Sequence, residues 1–459
     1  MELLPLALTT VVLVLAAAGF AYFWRIAPVG AGYKAKVVCS AVFVCGRDPE
    51  EVLNLDVAAD SYAILRPFKV AIDHERKSVT ASLLGFQGKT AVYRPGIGAT
   101  LSADPFGPAC LPKIETPSPD FANAEARDVP ALEKALDNAF SEPNPKKLRR
   151  TRAIVVLKDG ALIGERYANG FSAKHRMAGW SMSKSVINAL VGILTKEGKL
   201  SVNDNELFPE WKDGRSSIRL NDLLRMRSGL EFQEVYEDPL KDVTQMLFNR
   251  EDSSAYALDK PLANPPGTHW SYSSGTTNLV CRLMRDTLGG SLEDYLAFPR
   301  EALFKKIGMN SALFEPDGAG TLVGSSYCFA TARDWARFGE LYRLDGVCNG
   351  ERVLPQDWVR YSTTPTPQSP DGRYGAHWWL KLPEVFGGSS PEAESIPNDA
   401  FFAMGHEGQT ITVIPSRGLV AVRHGLSIHL DSWNQAKFVA DLLEAIYSPH
   451  GYIAGAGPN

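Results

Sequence analysis

Apolar positions are unevenly spread along this chain, and the first stretch is the most extreme. From Leu3 to Trp24 it reads LLPLALTTVVLVLAAAGFAYFW, with no charged residue. At 1.5 Å per residue, about 20 helical residues cross the hydrocarbon core of a bilayer, so a membrane helix is expected here. An uncleaved anchor and a removed signal peptide are the two readings of such a segment. Ala16 to Ala18 offers small residues to a peptidase, but the apolar run continues through Phe20, Tyr22, Phe23 and Trp24, and Glu2 stands before it instead of Lys or Arg. The anchor is the preferred reading, with the terminal aromatics suited to the interfacial belt.

Past Ala31 the pattern breaks into strand-like runs, KAKVVCSAVFV (34–44) and KTAVYRP (89–95), until the proline-dense PACLPKIETPSPD, from Pro108 to Asp120, reads as a linker. The expected organisation is an anchor over 1–25, an N-terminal extension with linker over 26–121, and a main domain over 122–459. That domain begins with a helical pattern, VPALEKALDNAF, followed by AIVVLKDGALIGERY, two alternating runs around a Lys158-Asp159-Gly160 hairpin turn. TITVIPSRGLVAVRHG repeats the hairpin near the C-terminus, and WNQAKFVADLLEAIY sets Phe438, Val439, Leu442, Leu443 and Ile446 on one helical face. Strands at both ends of a mostly helical middle imply an α+β layer architecture, with terminal helices against an antiparallel sheet.

Charge narrows the partners. The 459 residues carry 48 Lys+Arg and 52 Asp+Glu, a net charge of −4, which leaves no basic excess for a nucleic-acid backbone. Six cysteines without a CxxC pair exclude a zinc ribbon or a thioredoxin-like site. In an oxidising compartment Cys328 with Cys348, and Cys110 with Cys39 or Cys45, are conceivable pairs, while Cys281 falls in an apolar helical stretch and reads as core. No metal cluster or dinucleotide fingerprint appears, so no cofactor is implied.

Three local features can carry chemistry. In GWSMSKSVINALVGILTKEGKL, Ser181 stands at a helix start and Lys184 one turn later on the same face. A serine hydroxyl needs a base to take its proton, and an amine serves only if its pKa is depressed; the positive helix end favours the negative charge that develops. In NPPGTHWSYSSGTTNLVCRLMRDTLGG, Tyr272 lies on a loop entering a helix that Thr276 or Thr277 can cap. A lysine ammonium nearby eases loss of its phenol proton, which suits a relay. In FFAMGHEGQTITVIP, a glycine-rich turn at a strand end can aim a backbone amide at a substrate oxygen, completing an oxyanion hole with the amide of Ser181. His406-Glu407 does not open a zinc site, because H-E-x-x-H would need histidine at Thr410.

In order and spacing, SMSK, YSS and the GHEG region resemble the S-x-x-K, Y-x-N or Y-S-x, and K-T-G or H-x-G elements of the penicillin-recognising serine hydrolases. That family includes class C β-lactamases, D-alanyl-D-alanine carboxypeptidases, esterases and 6-aminohexanoate-dimer hydrolases. The resemblance runs from about Ala122 to Ser448, and YSSGTTN looks most like the 6-aminohexanoate-dimer hydrolase branch. It implies a β-lactamase/transpeptidase-like antiparallel sheet flanked by terminal helices, with an all-helical subdomain. By position it makes Ser181 the acylated nucleophile, Lys184 the base and Tyr272 the proton relay to the leaving group. A small-molecule amide or ester is the implied substrate; a catalytically weak sensor using the same pocket is the alternative.

The sequence departs from the β-lactamase pattern twice: Ser274 stands where those enzymes have asparagine, and the K-T-G lysine is absent. The third element reads in two registers. Either His406-Glu407-Gly408 stands for H-x-G with Gln409 as donor, or Ala403-Met404-Gly405 fills the triplet with the His406 amide as donor, which is preferred. Ser274 and Gly405 are the substrate-binding positions this implies, and Trp378 is the third expected substrate contact. Trp378 and Trp379 can line an apolar cleft or be core, and the acidic loop Glu231 to Val243 can line the pocket or be charged surface. Arg25, Lys34 and Lys36 after the apolar helix would hold the body in the cytoplasm, yet family members act on envelope or imported molecules, so an extracytoplasmic body is preferred by analogy.

Overall fold

A computed structural model describes residues 3–57, 65–102, 111, 116–122 and 130–447. Cys110, most of the proline-dense linker and everything beyond Tyr447 lie outside the described residues.

Helix α1, Leu3–Cys39, is continuous but has two surroundings. Its large apolar side chains from Val11 to Trp24 are 41% to 67% exposed, whereas burial starts at Ile26. Among the described residues it is the one helix long and apolar enough to cross a membrane. The inner half lays Ala27, Ala31 and Ala35, one turn apart, against a four-stranded antiparallel sheet of β1 (Phe68–Asp73), β2 (Ser78–Leu83), β3 (Phe86–Arg94) and β4 (Gly98–Thr100). Small side chains at that spacing let a helix approach a sheet closely.

KTAVYRP is accordingly found in β3, but KAKVVCSAVFV is not a strand. It continues α1 and closes in the π-helical turn Ser40–Val44. Its valines favour a strand, yet the alanine stripe at helical spacing buries against the sheet only if the segment stays helical, and packing overrides propensity.

Two buried carboxylates key this extension to the body. Glu315 pairs with Lys36 and accepts from the Ala99 amide at 2.8 Å and the Ser40 hydroxyl at 3.0 Å. Asp56 receives Arg47 and Arg152, each at 2.6 Å. Burial alone would push the Asp56 carboxyl up, but the two guanidiniums hold it below its usual value.

The body begins with α2 (Pro130–Phe140) and the hairpin β5 (Thr151–Lys158) and β6 (Ala161–Tyr167). A helical middle follows, including α3 (Ser183–Lys196), α4 (Asp242–Phe248), α5 (Ser274–Leu288) and α6 (Ala332–Arg343). The chain ends with β7 (Phe401–Gly405), β8 (Gln409–Ile414), β9 (Leu419–Gly425) and α7 (Gln435–Tyr447). The five strands make one antiparallel sheet in the order β7-β8-β9-β5-β6, with Val420 of β9 opposite Leu157 of β5.

Alternation along β5 explains the layers. Ala153, Val155 and Leu157 join the core under α6 and the helical middle, while Ile154 and Val156 join the one beneath α2 and α7. The terminal helices thus cover one face and the helical region the other, the α+β layering expected. Among the cysteines, Cys328 and Cys348 carry free thiols instead of forming a bridge, as do Cys39 and Cys45; Cys281 is core.

Candidate active site

The S-x-x-K segment folds as a short 3-10 turn, Trp180–Met182, running into α3. Trp180 adopts φ +48°, a left-handed backbone that a bulky residue holds only under constraint. The constraint is visible at Gly179, where a Cβ would lie 2.4 Å from the Trp335 ring. Ser181 therefore occupies a fixed turn. It does not cap α3, whose cap position is Met182.

One turn on, Lys184 is fully buried, and its Nζ donates to Ser181 Oγ at 2.8 Å, Ser274 Oγ at 3.1 Å and the Ser325 carbonyl at 3.0 Å. Three N–H groups meet three acceptors. Burial pushes the Lys184 pKa down to about 8, against the Glu234 carboxylate, which pulls it up.

The phenol of Tyr272 lies close enough to Ser181 to feel its hydroxyl, and its ring centre lies 4.9 Å from Lys184 Nζ. Trp379 stacks on that ring at 5.5 Å and Tyr374 meets it edge-on at 5.8 Å, which fixes its direction. The expectation that lysine eases loss of the phenol proton is corrected here. Burial raises the Tyr272 pKa and Glu234 raises it further, with the Ser181 hydroxyl opposing, so the phenol is a protonated donor at neutral pH.

Ser274 opens α5, which is capped by Ser273 accepting from the Thr276 amide at 3.2 Å, not by Thr276 or Thr277. Its hydroxyl accepts from Lys184 and donates to Glu234 Oε1 at 2.6 Å, while its amide donates to Oε2 at 2.7 Å. Lysine, serine and glutamate thus form one chain. Glu234 comes from the acidic loop, and Tyr236 two residues on is also half-buried.

The third element closes the site from the sheet side. Gly405 ends β7, and a Cβ there would meet the Gly179 carbonyl oxygen at 2.2 Å, so only glycine lets the strand lie this close to the turn holding Ser181. His406 follows, its ring stacked on Tyr236 at 4.6 Å and edge-on to Trp180 at 5.4 Å. Burial pushes its pKa down to about 4, so it is neutral at pH 7. Ala403, Met404 and Gly405 lie in β7, while His406–Gly408 form the turn after it.

Trp378 does not belong to the site. It is fully buried, 5.0 Å from Phe401 and 4.5 Å from Tyr342, and is a core residue; its half-buried neighbour Trp379 faces Tyr272. The sequence left the loop carrying Glu234 open between pocket wall and charged surface, and it did not single out Ser325. A period-two signal was present in the loop, where Phe232, Glu234 and Tyr236 alternate with exposed Gln233, Val235 and Glu237. No group of three or more His, Cys, Asp or Glu able to hold a metal occurs among the described residues.

Comparison with known proteins agrees with this fold. The chain is 26% identical to a 6-aminohexanoate-dimer hydrolase of Paenarthrobacter ureafaciens over 283 residues, 56% of this chain and 68% of that protein. It is 30% identical over 188 residues to a D-aminopeptidase of Brucella anthropi, covering 36% of this chain and 33% of that one. Among solved structures, a provisionally named 6-aminohexanoate-dimer hydrolase from Bacillus anthracis superposes with a TM-score of 0.58 at 21% identity, over 73% of this chain and 90% of that one. A penicillin binding protein from Bacillus halodurans superposes at 0.51 with 15% identity, over 69% of this chain and 100% of that one. The family model described as Beta-lactamase matches residues 136–424, more than half of the chain. The chain therefore belongs to the β-lactamase family and is a serine hydrolase of that superfamily.

Proposed function

We propose that the protein is a membrane-anchored serine hydrolase that cleaves an amide or ester through an acyl-enzyme on Ser181. The observation that carries this is the 2.8 Å contact between Ser181 Oγ and a buried Lys184 whose pKa is depressed to about 8. Neutral Lys184 takes the hydroxyl proton as Oγ attacks the carbonyl carbon, and the C–O bond forms. The oxyanion is held by the backbone amides of Ser181 and His406; the close approach of Gly405 to Gly179 supports that pairing and the register with Ala403-Met404-Gly405 in the strand. Protonated Tyr272 delivers a proton to the leaving group as its bond to the carbonyl breaks, and the Lys184 ammonium passes the proton taken from Ser181 to the resulting phenolate, restoring both groups. Water then attacks the acyl carbon, gives one proton back to Oγ through the same pair, and releases the acid.

Glu234 acts through Ser274 as a positioning residue for Lys184. The missing K-T-G lysine, with neutral His406 beside the triplet, supports substrates that lack a carboxylate next to the scissile bond, so β-lactams should be turned over poorly. The relatives named for a 6-aminohexanoate dimer and for D-amino peptides support a small amide as one form of the substrate.

The continuity of α1 from its exposed apolar stretch into the buried core supports an uncleaved anchor; a body outside the cytoplasm is supported by family analogy alone. The test is turnover of 4-nitrophenyl butyrate: Ser181→Ala should abolish it, and a variant as fast as the parent would refute the assignment.

A further inference from the structure

Between the inner half of α1 and the face of the body that carries Ser181 lies a cavity of about 310 Å³, within the range of small-molecule sites. Its α1 wall starts at Ile26, two residues after the exposed apolar stretch ends at Trp24, and continues inward through Val29. Phe68 of β1 and Phe248 of α4 line it as well, and α1 is held against both: a Cβ on Gly30 would meet the Phe68 ring at 2.5 Å, and one on Gly32 the Phe248 carbonyl oxygen at 1.8 Å. Glu237, Thr244 and the phenol of Tyr33 are among its polar members. Trp180, Tyr236 and His406 line it too.

Those last three residues tie the cavity to the chemistry. Trp180 immediately precedes Ser181, His406 supplies the proposed oxyanion amide, and Tyr236 donates to Glu234 Oε1 at 3.2 Å, the carboxylate that also holds Ser274. Its walls therefore include neighbours of the reacting groups and, at Ile26, the point where α1 leaves the core for its exposed apolar segment. The α1 wall also lies outside residues 136–424, so this chain adds it to the family domain.

We propose that this cavity holds the alkyl chain of a membrane-borne amphiphile, so that the substrate is a long-chain acyl amide or ester whose carbonyl reaches Ser181. This rests on the hydrolase reading above and specifies its substrate class. A largely apolar cavity walled by the helix that continues into the proposed membrane segment favours an alkyl chain over a soluble polar peptide, since the chain leaves lipid for another apolar surface and need not cross water. The reaction is RCO–X plus water giving RCO₂H and HX, with the acyl–X bond broken and the acyl group carried on Ser181 between the two halves.

The test uses the full chain in phosphatidylcholine nanodiscs, treated with ethyl and dodecyl fluorophosphonate and followed by intact mass. Dodecyl fluorophosphonate should modify Ser181 at least 10-fold faster than the ethyl probe, and Val29→Trp or Ile26→Trp, each filling the cavity, should remove most of that preference. Equal rates for the two probes on the parent protein, or a preference that both variants keep, overturn the proposal while leaving Ser181 as nucleophile. If Ser181 reacts with neither probe, the hydrolase reading fails and the substrate assignment falls with it.

Discussion

Lys184 must be neutral to take a proton, and its pKa near 8 means that the active form gains population as pH rises through that value. The profile of kcat/KM for an uncharged ester should therefore climb from pH 6 and level off above about pH 8. Glu234 raises the lysine pKa through its charge, so Glu234→Gln, which keeps an acceptor for the Ser274 hydroxyl, should move that limb to lower pH. A purely structural role for Glu234 would change the rate and leave the midpoint in place. Lys184→Arg, too basic to be neutral, should lose about 10³-fold or more in kcat/KM, measured by initial rates. Ser181 and Lys184 were legible because helical spacing puts them one turn apart, and Tyr272 because its loop enters a helix in a motif that resembles the family's. Glu234 was not, since its approach to Ser274 depends on the path of a loop that no local periodicity longer than a few residues describes.

The attachment of α1 is decided by buried charge as well as by apolar contact. Glu315→Ala leaves Lys36 buried without its carboxylate, a loss of about 3–5 kcal/mol in comparable buried pairs, so thermal unfolding should shift down by several degrees or more. Glu315→Gln, retaining acceptors for Ser40 and Ala99, should cost less. A Glu315→Ala protein with the parent's melting temperature would show that the extension is held by its alanine stripe alone. At the same scale, Gly405→Val would drive a side chain into the Gly179 carbonyl and should cut turnover at least 100-fold. The hairpins around Gly160 and Gly418, and the terminal helices, could be read directly, because apolar runs bounded by turn residues mark the first and a period of 3.6 marks the second. The valine-rich end of α1 misled, because its conformation follows from a sheet more than 20 residues away in sequence.

For the whole molecule, one continuous helix is exposed over its apolar stretch and buried over the rest, so the proposed anchor would join the domain with no flexible spacer between. Removing residues 1–25 should move the protein from the membrane to the soluble fraction after carbonate extraction, and retention in the membrane would point to a second attachment. The account turns on whether one hydroxyl becomes acylated through one depressed amine. The direct measurement is intact-protein and peptide mass spectrometry of the full chain treated with ethyl fluorophosphonate across pH 6 to 10. The expected result is a single adduct on Ser181, absent from Ser181→Ala, forming at a rate that rises with a midpoint near 8. An adduct at another residue, or labelling of Ser181→Ala at the parent rate, would contradict it.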